Sequence, residues 1–300
     1  MRRIAVEVVV AALTLAVIAL ALERAFRDYR TPLDFVLSPL KTADRVTLLI
    51  VGNSHTGALG TLPLRDDDIT YNASVGGQDV YRSYLLLRAF MPMLPRLREV
   101  IVALDYDAVG YNFSVFNQDW QDRQYFPYTG ELYHDGTVQR LMAKSAFFRA
   151  NRDLGVLLSS GSSSARASNP ILPVTARATS GPGGCRERAK EHSEVKFREG
   201  LIDENVDYLR KIAALGVHYK VGVHFLNTPK SDCYRANYSG ATRRRGGVAN
   251  ARVLGARRDG FYDYFDEGAF APDDFVDDDH LSPAGAGKVM RDLAVRTARR

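Results

Sequence analysis

The sequence predicts an α/β protein, a three-layer α/β/α sandwich around a central parallel sheet, preceded by one apolar N-terminal helix. Three observations carry this. Short, nearly continuous apolar runs end in glycine or a polar turn, as strands buried on both faces do. Helical patterns fall between these runs, the arrangement that parallel strands need for their crossovers. Ile4–Leu22 is a run of nineteen residues with Glu7 as its one charge, close to the roughly 20 that a helix needs to cross a bilayer.

The elements follow in chain order. Arg2 and Arg3 precede the apolar run, which favours a cytoplasmic N-terminus with the rest of the chain outside. A retained anchor over residues 1–22 is the preferred reading, because the run is long for a signal sequence. Ala19-Leu20-Ala21 also offers a small-x-small cleavage site, so a removed signal peptide is the alternative. Residues 23–44 read as a charged juxtamembrane connector in which Pro32 and Pro39 oppose one long helix. From residue 45 to 300 the α/β pattern takes over. "RVTLLIVG" is the first strand, "ITYNASVGG" the second with its turn, and "REVIVALDYD" the third. "VYRSYLLLRAF" has helical spacing, and "EVKFREGLIDENVDYLRKIAALG" is an amphipathic helix expected to end at Gly216. "VHYKVGVHFLN" is a strand and "FYDYF" a weak last one. The closing helix takes Ser282 as N-cap and Pro283 as its first residue.

Composition bounds the function. Of the 300 residues 46% are apolar and 25% charged, enough for a sizeable core without staples. The net charge of +5 is modest, and the small arginine groups (Arg243 to Arg245, Arg257 with Arg258, Arg299 with Arg300) read first as solvated surface. Zinc-finger spacing, RNA-binding aromatic signatures and Walker-type loops do not occur, which argues against a nucleic-acid partner. The two cysteines, Cys185 and Cys233, suit a disulfide if the domain is exported. Neither has metal-ligand spacing, and no metal or other cofactor is expected. Two stretches interrupt the α/β pattern. Residues 106–136 are rich in aromatics and amides and suit either sugar or acyl contact or a packed loop. Residues 159–184 are rich in Ser, Gly and Ala and read as a flexible excursion.

The chemistry gathers at three places. Acyl transfer by serine needs a general base, a carboxylate to orient it, and donors for the oxyanion. "GNSHT" puts Ser54 at the carboxyl end of the first strand, where ligands of parallel sheets sit. Among six histidines, His280 in "DDDHLSP" stands out, since Asp277 three residues before it can reach the imidazole from one turn. His55 is a poorer base because sequence neighbours point apart, and His218 and His224, in or beside a strand, read as structural. These blocks resemble the SGNH (GDSL-like) hydrolase superfamily, in its membrane-anchored envelope branch of polysaccharide O-acetyltransferases and esterases. "GNSHT" resembles its first block, "NASVGGQD" its second and "DDDHL" its last, in the family's order.

The resemblance implies a flavodoxin-like fold over roughly Arg45 to Arg300, a Ser54–His280–Asp277 triad, and an oxyanion hole formed by the N–H groups of Ser54 and Gly77. Its third block usually supplies an asparagine, where this chain has Asp107. Asp107 itself could be protonated or turned away, Asn112 or Asn117 could fill that role instead, or the hole could have two donors only. The expected function is thus an extracytoplasmic, membrane-anchored serine esterase or O-acyltransferase acting on acyl esters of an envelope carbohydrate, within a polysaccharide-modification machinery. The alternative is a catalytically degenerate module that binds a polysaccharide or an envelope partner.

Overall fold

The structure, a computed structural model, describes residues 2–116, 119–150, 184–254 and 260–298. The Ser/Gly/Ala-rich excursion lies outside these residues except for Gly184, and so does Asn117. Helix α1 (Arg2–Phe26) is long and apolar enough to span a membrane, with mean hydropathy 2.7 over its apolar window and none of that window buried. Then come α2 (Pro32–Leu37), β1 (Leu48–Val51), the single turn α3 (Ser54–Gly57), β2 (Thr70–Asn72), α4 (Val80–Phe90) and β3 (Glu99–Ala103). Helices α5 (Asp119–Thr129), α6 (Thr137–Lys144) and α7 (Ala146–Ala150) follow, and after the undescribed stretch α8 (Gly184–Lys190) and α9 (Ile202–Tyr219). The chain closes with β4 (Gly222–Asn227), α10 (Asp232–Asn237), α11 (Gly240–Leu254), β5 (Phe261–Asp263) and α12 (Pro283–Ala298).

The five strands form one parallel sheet in the order β2-β1-β3-β4-β5. Alternate residues divide it between two cores, as the two-residue period of a strand requires. Leu49, Val51, Val100, Val102 and Phe225 pack with Leu86, Leu87 and Phe90 of α4 and Val206, Leu209 and Ile212 of α9. Leu48, Ile50, Ile101 and Leu226 pack with Val289, Met290 and Leu293 of α12. Both faces are thus covered, which is why the strands read as apolar runs.

The end of one helix departs from the sequence expectation. The amphipathic helix does not stop at Gly216. It starts at Ile202, runs on to Tyr219 and ends at Lys220, which takes the left-handed conformation with φ 57°. Gly216 is instead the point where the helix touches the sheet, since a Cβ there would lie 2.9 Å from the Val221 carbonyl oxygen. His218 consequently sits on the last turn of α9 rather than in or beside a strand. The segment 23–44 connects α1 to the sheet, but it is no loose tether: Leu33, Val36, Leu37 and Leu40 are all buried in the α4/α9 core. The aromatic excursion is mainly a packed element. Arg82 of α4 is fully buried, paired with Asp79 and with Asp122 at 2.6 Å, and flanked by the rings of Phe113 and Tyr125.

Gly52, at the end of β1, has φ 142°, and a Cβ there would overlap the Ala103 Cβ and lie 2.7 Å from Thr56 Oγ1. Gly60 also has positive φ (59°), but nothing lies within 4 Å of an added Cβ. Gly52→Ala is therefore expected to cost about 2–4 kcal/mol, from strain plus overpacking. Gly60→Ala should cost about 1 kcal/mol, from backbone conformation alone. Urea midpoints of the two variants test this, and equal losses would contradict it.

Candidate active site

The site is assembled at the carboxyl end of the sheet. After Gly52 the chain turns at Asn53, whose Oδ1 accepts the His55 N–H at 3.0 Å and so caps α3. Asn53 thus caps the turn, and the Ser54 hydroxyl remains for other contacts. It meets His280, with Oγ 2.8 Å from Nε2. His280 Nδ1 faces the Asp277 carboxylate at 2.8 and 3.0 Å. An ionised carboxylate only accepts, so Nδ1 carries the proton and Nε2 turns its lone pair toward Ser54.

The loop holding this pair is fixed from several sides. Asp277 Oδ1 also accepts the backbone N–H of His280 at 2.8 Å and of Asp279 at 3.1 Å. Val276 N–H donates to the His280 carbonyl at 3.0 Å, and Phe275 bridges to Leu281. Ser282 Oγ accepts the Gly285 N–H at 3.2 Å and caps α12, as its sequence suggested. Burial opposes the Asp277 charge, but the hydrogen bond and charge of His280 outweigh it and hold the carboxyl below its ordinary range.

Gly77 follows β2 with φ 74°, and a Cβ there would run into the Phe113 ring. Val75 N–H donates to the Gly52 carbonyl at 2.9 Å, which lays this loop beside Ser54. Among the described residues, neither the Ser54 nor the Gly77 N–H has a protein acceptor. Both residues line a cleft of about 190 Å³ with Asn53, Asp107, Tyr111 and His192. Asp107 thus shares this cleft with Ser54 and Gly77, and Tyr238 OH donates to its Oδ1 at 2.9 Å. Asn112 is not among the lining residues. It is 1% exposed, and its Oδ1 accepts the Ser114 N–H at 2.9 Å.

Sequence reasoning missed a buried charge cluster behind the triad. His55 Nδ1 lies 2.7 Å from Asp105 Oδ2, and its Nε2 lies 2.9 Å from Asp279 Oδ2. Two acceptors on one ring require two N–H groups, so His55 is an imidazolium. Burial pulls its pKa down, but Asp105 foremost, with Asp279, carries it up to about 9. Asp105 and Asp279 are held below the ordinary range in return, against burial, by His55 and Lys230. Arg188 pairs with Asp279 at 2.6 Å and Lys230 with Asp105 at 3.3 Å. His192 accepts or donates at Nδ1 with Tyr234 OH at 2.8 Å, and burial lowers its pKa to about 3, so it stays neutral. Asp107 goes the other way: burial, then the Asp105 charge, raise it to about 6.

Arg188 and His192 arrive with α8 and the turn after it. Cys185 and Cys233 form a disulfide, Cα–Cα 5.9 Å, which ties α8 to α10. That pairing was the one sequence signal linking this segment to the rest. His224 is structural as expected, 2.7 Å from Glu99 Oε2. One ligand atom each of His55, Asp279 and His280 lies within 4.8 Å of the others. A cation there would have to displace the His55 protons that two carboxylates hold, so this donor set suits ion pairing better than metal binding.

No protein-family model matches the chain, and no curated protein matches it in sequence.

The cluster sets a stability window. A histidine whose folded pKa exceeds its unfolded value stabilises the fold fully below about pH 6.5, and that stability drains away as pH rises through about 9. The depressed carboxylates Asp105, Asp277 and Asp279 act with the opposite sign: their contribution is present above about pH 4 and is lost as acid protonates them. The unfolding free energy from urea titrations should fall between pH 7.5 and pH 10 by on the order of 2 kcal/mol in the wild type. His55→Gln should lower stability at neutral pH and flatten that alkaline slope; an unchanged slope would contradict the assignment.

Proposed function

We propose that the chain is a membrane-anchored, extracytoplasmic serine esterase or O-acyltransferase of SGNH type that acts on acyl esters of an envelope carbohydrate. The observation that carries this reading is the hydrogen-bonded series Ser54–His280–Asp277, in which Ser54 and His280 are 226 residues apart in sequence. Resemblance of the three sequence blocks to SGNH hydrolases adds to it. The two covered faces of the parallel sheet support the three-layer α/β/α sandwich of that superfamily. The apolar α1, the arginines at its start and the paired cysteines support an anchored domain on the oxidising side of the membrane.

Ser54 Oγ attacks the acyl carbonyl carbon while His280 Nε2 takes the hydroxyl proton, and Asp277 stabilises the imidazolium so formed. The carbonyl oxygen becomes an oxyanion within reach of the Ser54 and Gly77 N–H groups. The tetrahedral carbon then expels the alcohol, which receives the proton from His280, leaving an acyl-Ser54 ester. Water or a sugar hydroxyl attacks that ester by the same steps, giving hydrolysis or transfer. A cleft of about 190 Å³ walled by Asp107, Tyr111, Arg188, Glu191 and His192 suits a short acyl group on a polyol better than a long chain. Polysaccharide-modifying enzymes of the envelope are the fitting partners.

Asp107 decides how strong the oxyanion hole is. Protonated, it is a third donor in place of the family's asparagine; ionised, it repels the oxyanion. The second reading, a degenerate module that binds polysaccharide or an envelope partner, is favoured by this residue alone. Polymer binding that survives Ser54→Ala, with no turnover of any acyl ester, is its signature.

A fluorophosphonate probe should label Ser54 in the full chain, and labelling should vanish in Ser54→Ala and fall at least about 1000-fold in His280→Ala. A folded wild-type chain that takes no label would sink the enzyme reading. Asp107→Asn should leave ester turnover near the wild-type level at pH 5 and raise it about 10- to 100-fold at pH 8, because one oxyanion donor is worth about 100- to 1000-fold. An equal loss at both pH values would remove Asp107 from the hole.

A further inference from the structure

The domain is not hung on a flexible tether, and this determines what faces the membrane. The run Ile4–Leu22 spans about 28 Å as a helix, at about 1.5 Å per residue, which matches a hydrocarbon core of about 30 Å. Glu23 therefore sits where α1 leaves the apolar layer. Its carboxylate receives the Ser145 hydroxyl at 2.7 Å and the Ala146 N–H at 2.8 Å, at the start of α7. Phe26 packs on Phe147 with ring centroids 5.5 Å apart, and Leu22, Ala146 and Ala150 complete the contact. Helices α6 and α7 are thereby fixed at the depth of the membrane surface.

At that depth the pair exposes apolar side chains. Val138 is 63%, Leu141 64% and Phe148 37% exposed, whereas Ala143, Ala146 and Ala150 face inward. Val138 and Leu141 are three residues apart and share one face of α6. Leu141 lies one helical turn, about 6 Å, from Ser145 and hence from the Glu23 anchor point. Lys144 of α6 and Arg24 and Arg27 at the end of α1 are also exposed, the charge that anionic headgroups attract.

We propose that α6 and α7 form a membrane-contact shoulder, in which Val138, Leu141 and Phe148 enter the headgroup–acyl boundary of the bilayer that α1 crosses. The occupant of this face is the lipid surface. The shoulder rests on α1 being the membrane anchor, and it adds that the domain is held against the bilayer in one orientation.

Single tryptophans at Val138, Leu141, Leu15 and Val217 test this in the full chain, reconstituted into liposomes with brominated acyl chains. Emission of Trp120 in the unsubstituted chain supplies the background to subtract. Val217, 82% exposed near the end of α9, reports a water-facing site, and Leu15 reports the anchor itself. Leu141→Trp and Val138→Trp should be blue-shifted and quenched severalfold more than Val217→Trp. Quenching at Leu15→Trp with none at Leu141→Trp or Val138→Trp would overturn the shoulder and leave the anchor standing. No quenching at Leu15→Trp would overturn both.

Discussion

The His55 imidazolium is the constraint on which the site depends. Its ring joins Asp105, two residues beyond β3, to Asp279, one residue before His280. His55 itself follows Ser54. One buried cation thus ties the Ser54 turn, the neighbouring strand and the C-terminal loop together. Without it, Asp105 and Asp279 would be left as buried anions with weaker partners, and an uncompensated buried charge costs several kcal/mol. The Ser54–His280 hydrogen bond at 2.8 Å joins the same two segments that these ionic contacts hold, and the Asp277 turn alone would not fix the position of α3.

The same cluster explains why one aspartate differs from its neighbours. Asp105 faces His55 and Lys230, Asp279 faces His55 and Arg188, and Asp277 faces His280. Each has a cationic or ionisable partner. Asp107 has the Tyr238 hydroxyl, which is neutral, and it feels the Asp105 charge from the same strand end. An acid so placed is the one most easily protonated, as desolvation and like charge both act against its ionised form. Asp107, the position at which the proposed SGNH reading expects an asparagine, thus has the surroundings that most favour a neutral carboxyl.

Much of the frame was legible in sequence because strand burial and helix capping are local. Val80–Phe90 and the start of α12 fall where spacing, Ser282 and Pro283 put them. The Asp277–His280 contact was legible because both residues share one turn, so it needs no knowledge of the fold. The role of His55 was not legible. The observation that neighbours point apart was right, since His55 turns inward while Ser54 faces the cleft, but its partners come from Asp105 and Asp279, which only the fold brings near. Gly216 misled because a glycine near a helix end marks a stop as readily as a close approach to a strand. Here the clearance above Val221 and Val223 was the reason. The burial of Leu33, Val36 and Leu37 was obscured by the prolines and charges that made residues 23–44 look like a linker.

The wall opposite the triad shows how a distant covalent link acts on the charges of the site. Arg188 and His192 lie on α8 and the turn after it, whereas Lys230, Tyr234 and Tyr238 come from the loop and helix after β4. The Cys185–Cys233 disulfide joins these two segments, and Ala189, Tyr234 and Tyr238 share one small apolar cluster beneath it. If α8 were free to move away, Asp279 would lose Arg188 and Asp107 would be more open to water. The first change would leave more negative charge beside His280; the second would lower the cost of ionising Asp107. Oxidation of the two cysteines therefore acts on the electrostatics of the site as well as on stability, and that coupling suits a domain that folds where thiols are oxidised.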